Sequence, residues 1–267
     1  MNKIAIMKKI SFAGIALLFS CLILAQQKEG KVIYQRSTQM KFRMPGMNDD
    51  VARTRTDKLE LLFGNNQSLL KRVEENEDRQ DVIGAGDGVR IQMINAGNDD
   101  VTYNNFDAKK RIESRELFDR TFIIEDSIRS LRWKLSDESK NILGYTCKKA
   151  TAQQIGQRTI VEMNNGQPER KQEPDTMNIV AWYTDAIPVS AGPQYQGQLP
   201  GLILELNINN GRTEYKALEI LPKGDIASIK APKGKKKYTT EEFEKERDKL
   251  MEEMQQNGGG RRMIFRN

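Results

Sequence analysis

The sequence predicts a mainly β (α+β) protein, an antiparallel sheet that is curved or partly closed, with one surface helix near the C-terminus. Three observations carry that expectation. Short alternating or apolar runs follow one another between turn residues, without the βαβ rhythm of a parallel sheet. Between Lys31 and Arg43, Val32, Tyr34, Met40 and Phe42 fall on one face against Lys31, Gln35, Lys41 and Arg43, the period of two of a half-buried strand. Thr239-Thr240-Glu241-Glu242 is a capping box ahead of Phe243, Leu250, Met251 and Met254, which share a narrow stripe of one helix.

In chain order, residues 1–25 read as a cleavable secretory signal peptide. Lys3, Lys8 and Lys9 form a positive start, an apolar run follows from Ile10, and Ala25 offers the small residue that a signal peptidase needs. The run is shorter than the roughly 20 apolar residues that span a bilayer. Ser20-Cys21 allows a second reading, a lipoprotein signal, against which stand bulky Phe19 and apolar Leu22-Ile23-Leu24. The expected location is therefore the periplasm or cell envelope.

Residues 26–232 are expected to form one antiparallel β domain. Residues 44–57 read as a loop because Pro45 and Gly46 break the alternation. Leu59–Phe63 and Ser68–Val73 flank Gly64-Asn65-Asn66 as a hairpin. Residues 74–88 read as a mobile loop, and strands resume at Val89–Ile94, Val101–Phe106, Arg111–Phe118 and Thr121–Glu125. A turn at Asn141–Tyr145 leads to a strand through Cys147 and Ala150; Asn164-Asn165-Gly166 marks a tight turn, and residues 167–176 read as an exposed loop. Leu202–Ile208 and Thr213–Leu221 flank Asn209-Asn210-Gly211, whose positive-φ residues suit a tight hairpin. Residues 233–257 give a basic linker and the amphipathic helix, and 258–267, opening with three glycines, a flexible tail.

Composition excludes several chemistries. The chain has no histidine, which removes Ser-His-Asp and Cys-His hydrolases and His-ligated zinc sites. The net charge of +6 includes three lysines of the signal, and the remainder is not concentrated as a nucleic-acid face requires. Beyond the signal only Cys147 remains, so no internal disulfide can form. Such a thiol is buried, paired with another chain, or used chemically; burial is the ordinary state of the residue type.

The stretch from Val180 to Leu206 is the most informative. Trp182-Tyr183-Thr184, Ile187-Pro188, Gly192-Pro193 and Leu199-Pro200-Gly201-Leu202-Ile203 resemble the GLPGLI family of exported bacterial proteins. Leu59–Phe63 with Ser68, and Gly144–Ala150, resemble further parts of that family's pattern. Gln198 departs from it, standing where the hexapeptide's first glycine belongs. The resemblance implies export, a mostly β domain and no assigned catalytic residue. The layout is also similar to periplasmic lipoprotein-carrier folds, which curve an antiparallel sheet into a half-barrel, a likeness of fold and not of function.

Read physically, Pro188 and Pro193 make 187–200 a loop that leaves a strand, and Pro200-Gly201 suits the centre of a type II turn. Two readings of the segment are open: a rigid corner that sets strand register, or a shaped loop in which Trp182, Tyr183, Pro188, Pro193, Leu199, Pro200, Gly201 and Leu202 meet a ligand or partner. Met40, Met44 and Met47 around Pro45-Gly46 are a candidate soft site for monovalent copper, against the plain reading of a core methionine and two loop ones. No cofactor is implied. The function expected is non-enzymatic binding of a lipid-like, apolar ligand or of an outer-membrane protein, without nucleic acid. The alternatives are a hydrolase using carboxylates or Cys147, and a structural or assembly protein.

Overall fold

A computed structural model describes residues 27–42, 51–73, 82–85, 89–92, 100–117, 120–164 and 167–257. The expected signal, the tail, and Met44 and Met47 lie outside them. Fourteen strands are described: β1 (Gly30–Phe42), β2 (Val51–Gly64), β3 (Gln67–Arg72), β4 (Val82–Ala85), β5 (Val89–Gln92), β6 (Val101–Asn105), β7 (Lys110–Leu117), β8 (Arg120–Ser127), β9 (Lys134–Ile142), β10 (Tyr145–Asn164), β11 (Gln167–Thr184), β12 (Leu202–Ile208), β13 (Thr213–Leu221) and β14 (Lys237–Tyr238). One helix, α1, spans Thr240–Asn257. The mainly β expectation holds.

Twelve strands form one open sheet, ordered β14-β8-β7-β6-β3-β2-β1-β13-β12-β11-β10-β9; β4 and β5 pair apart from it. Every pairing in the large sheet is antiparallel except the short parallel contact of β14 with β8. The order makes β1 the hinge of two meanders, one running out through β2 and the other through β13.

The connections require this sheet to curve. Neighbouring strands lie about 4.8 Å apart, so the ten steps from β8 to β9 amount to about 48 Å along the sheet. The segment from Ser127 to Lys134 spans at most about 25 Å when fully extended. The two flanks must therefore bend toward each other, as the half-barrel expectation requires, while the seam stays open.

Alternation sorts the sheet faces. Val32, Tyr34 and Arg36 on β1 lie opposite Leu61, Leu59 and Asp57 on β2, all on the inner face. There Val32, Tyr34, Leu59, Leu61 and Phe63 join Ala181, Leu206 and Tyr215 from the other meander in the main core. On the outer face, Leu62, Leu69, Tyr103, Ile112 and Ile123 are covered by Ile229. The expected capping box forms: Thr239 Oγ1 accepts from Glu242 N at 3.2 Å, and Glu242 Oε2 accepts from Thr239 N at 2.8 Å. It starts α1 so that Phe243 and Leu250 bury against Phe122 and Ile124. Phe122 meets both Phe243 and Tyr238 edge-on at 5.4 Å.

Five expectations need correction. Residues 51–57 are the first half of β2, and Val82–Ala85, within the expected loop 74–88, is a strand. Residues 167–176 belong to β11, ladder-paired to β10 throughout. Part of the basic linker, Lys237–Tyr238, extends the sheet as β14. Gly201 does not take the positive φ that a type II turn demands.

Candidate functional site

The inner face is occupied by two elements that fill different ends of it. The first is the loop between β11 and β12. Ile187, Val189, Ala191 and Leu199 bury into the main core, and Tyr34 Oη donates to Ile203 O at 2.6 Å. The loop is pinned to both meanders. Tyr195 Oη donates to Gln154 Oε1 on β10 at 3.0 Å, while the adjacent Gln196 accepts at Oε1 from Ser68 Oγ on β3 at 2.5 Å. Asn104 Nδ2 reaches Ser68 Oγ at 3.4 Å, completing a buried polar trio. Consecutive residues thus touch strands six places apart in the sheet order, a second measure of its curvature.

Gln198 has a definite task. Its Oε1 accepts from Leu131 N at 2.9 Å and from Trp133 Nε1 at 3.0 Å, tying the segment that bridges the two flanks to the loop. A glycine there would leave both donors without that acceptor. Gln198→Ala is expected to cost about 1–3 kcal/mol, read as a lowered midpoint in urea unfolding; an unchanged midpoint would show the bridge to be dispensable.

The sequence-predicted site residues divide accordingly. Tyr183, Leu199, Gly201 and Leu202 are buried, Leu202 completely. Pro188 and Pro200 are exposed, and Trp182 is half-buried with Lys140 Nζ 4.4 Å from its ring centroid. Of the set, only Pro193 lines the cleft described next. Met40 stands opposite Arg53 in the β1–β2 register. Cys147 is fully buried and burial pushes its thiol up to about 11, which leaves it protonated and unreactive near neutral pH.

The second element of the inner face is a cleft of about 540 Å³, bounded by the loop, the bridge from β8 and the first residue of α1. Its walls are charged. Arg36, Arg72, Arg111, Arg115 and Arg129 line it, with Asp100, Glu113 and Asp126. Asp57 forms the floor behind Arg36: its Oδ2 accepts from Arg36 NH2 at 2.8 Å, its Oδ1 from Arg55 Nε at 3.3 Å, and Arg72 also pairs with it. Three guanidiniums therefore share one carboxylate. Burial on its own would raise the Asp57 carboxyl, but the hydrogen bond and charge of Arg36, with Arg55 and Arg72, hold it below its usual range. Glu113, also buried, is clamped by Arg111 Nε at 3.0 Å and Arg115 NH2 at 2.7 Å. Asp126 accepts from Thr240 Oγ1 at 2.7 Å, anchoring the start of α1 at the rim.

Alternation explains why these charges converge. Arg111, Glu113 and Arg115 occupy every second position of β7 and so share the inner face, as Arg36 does with Tyr34 and Asp57 with Leu59. The acids sit deep and the arginines stand in front of them: the side chain of Asp57 is 2% exposed, whereas that of Arg115 is 46% exposed. The surface offered to a ligand is thus cationic and rich in planar donors. Asp100 differs from the other acids. Burial raises its carboxyl despite the backbone N–H of Glu116. Among the described residues, no group of three His, Cys, Asp or Glu side chains is placed to hold a metal.

Comparison with known proteins gives a partial match to a family model and a loose structural likeness. No curated protein matches the chain. Two solved structures of PNGF-II, in space groups P21 and C2, are similar at 18% and 17% identity, each with a TM-score of 0.48. These alignments cover 83% and 81% of this chain but 34% and 32% of the other, so the chain spans about a third of the length of the structures it matches. Residues 133–205, from Trp133 through the bridged loop to Glu205, match the model of Porph_ging, a protein family of unknown function.

Proposed function

We propose that the chain is an exported, GLPGLI-like cell-envelope protein that binds a small anionic ligand in its arginine-lined cleft without transforming it. The carrying observation is the excess of guanidinium over carboxylate in a cleft deep enough to desolvate part of a ligand. This reading departs from the apolar-ligand expectation. The apolar inner face is filled by Ile187, Val189, Ala191 and Leu199 of the chain itself, and the space left over is charged. Binding is favoured over carboxylate hydrolysis because Asp57, Glu113 and Asp126 are all engaged by cations or hydroxyl donors.

The test is calorimetric titration of the purified chain with inorganic phosphate, sulfate, a dicarboxylate and an uncharged detergent monomer. An anion is expected to bind, more weakly as salt rises. Arg115→Gln is expected to weaken it about tenfold, the equivalent of one charge-assisted contact, while thermal unfolding is little changed. Uptake of the detergent with no anion bound would refute the reading, as would an affinity indifferent to Arg115.

A further inference from the structure

The long hairpin of β10 and β11 outruns the sheet. β9 accompanies β10 only as far as Thr151, and β12 accompanies β11 only between Ile179 and Thr184. Beyond those points, among the described residues, the two strands pair only with each other, up to Asn164 and Gln167. At about 3.4 Å per residue, the free part of β10 is an arm about 40 Å long with two edges that no other described strand covers.

The two edges are not alike. In an antiparallel pair, every second residue turns its N–H and C=O away from its partner. Pro168 and Pro174 have no N–H to give, so they and their partners Met163 and Gln157 are the outward-turned positions. Two other contacts give the same parity. Asn178 offers its carbonyl to Asn209 N at 2.7 Å on the far side of β11, and Tyr145 closes the Leu143-Gly144 turn toward Ile142 of β9. The free edge of β11 is therefore blocked at two of its outward positions. That of β10 presents Gln153, Ile155, Gln157, Thr159, Val161 and Met163 without a proline. Ile155 is 80% exposed. One edge is guarded and the other left available.

We propose that the free edge of β10 pairs with the same edge of a second copy of this chain, antiparallel and centred on Ile160. A two-fold axis there sets residue 160 opposite itself, Thr159 opposite Val161 and Gln157 opposite Met163. All of these pairs except the central one join outward-turned positions, so the ladder can form. The same register sets Arg158 opposite Glu162, twice by symmetry. In the hairpin register Arg158 stands opposite Glu173 and Glu162 opposite Glu169, and the second copy brings Arg158 to the other side of Glu162. Other centres along the edge do not match unlike charges in this way.

Sedimentation equilibrium of the full exported chain tests the proposal. A dimer is expected at about 100 μM, the concentration scale of weak but specific association. Val161→Pro removes an outward N–H and no hairpin bond, so the variant is expected to be monomeric with an unchanged circular dichroism spectrum. Arg158→Glu is expected to weaken the dimer at least tenfold, and adding Glu162→Arg to restore it. A wild-type monomer at that concentration overturns the proposal, as does a Val161→Pro dimer or a charge exchange that fails to rescue.

Discussion

Gly201→Ala is expected to lower stability by about 3 kcal/mol or more, enough to leave a marginal protein largely unfolded at physiological temperature. The reason is a backbone contact that no rotamer can relieve. A Cβ on Gly201 would stand 2.1 Å from the carbonyl oxygen of Thr184 and 2.7 Å from its carbon. Thr184 is the last residue of β11, fully buried and paired with Leu202. Moving it apart would pull Leu202, Ile203 and Leu204 from the centre of the main core. The measurement is the urea midpoint, with Gly156→Ala as the control, since a Cβ there meets nothing within 4 Å. A Gly201→Ala variant within about 0.5 kcal/mol of wild type would mean that the strand junction is far softer than its geometry implies.

The second large effect concerns the floor of the cleft. Asp57→Asn is expected to cost about 3 kcal/mol, because it strips the shared carboxylate from Arg36, Arg55 and Arg72 and leaves three neighbouring cations facing one another. The pH dependence carries the sign. The folded carboxyl titrates below its unfolded value of about 3.9, so its contribution is fully present above that value and vanishes as pH falls through the folded one. The gap between wild type and Asp57→Asn should therefore be constant from about pH 5 to pH 8 and close progressively below about pH 4. Unfolding curves across that range check it. A gap that persists undiminished at the acid end would assign the loss to packing and not to charge.

Much of the fold was legible because burial leaves a period in the sequence. β1 and β13 bury one face and show it as alternation, whereas β3 and β12 bury residues on both faces and read as apolar runs beside a turn. Asn209 and Asn210 do adopt the positive φ expected of them, 54° each. The parts that escaped are strands with no face to bury. β9, with the sequence KLSDESKNI, is an edge strand whose residues are exposed or half-exposed. Residues 167–176 lie in the arm, where hydrogen bonds to β10 hold the strand and its two prolines sit on the free edge. Polarity and proline both argued for a loop, and both are properties of an edge.

The cleft escaped for the opposite reason. Arg111, Glu113 and Arg115 do alternate, but a charged set at spacing two reads as the solvent side of a strand. That they turn inward follows from the register Thr102–Glu113 and Asn104–Arg111, which no single segment contains. The curvature that gathers them depends on the short link between β8 and β9, meaningful only once the strand order is known. Gln198, noticed only as a departure from a motif, is explained by two donors that lie 65 or more residues away.

The central place of β1 has a consequence for the order in which the molecule can be made. Its inward face packs against residues from β12 and β13, and Leu221 is the partner of Lys31. A ribosome must therefore deliver some 190 residues beyond Lys31 before the core can close, and contacts so distant in sequence form slowly. Until then the chain can hold the meander β1-β2-β3-β6-β7-β8, but its inner face lacks the apolar residues of β12 and β13 that complete the main core. The first described strand therefore has to wait for nearly the last before its inward face is covered.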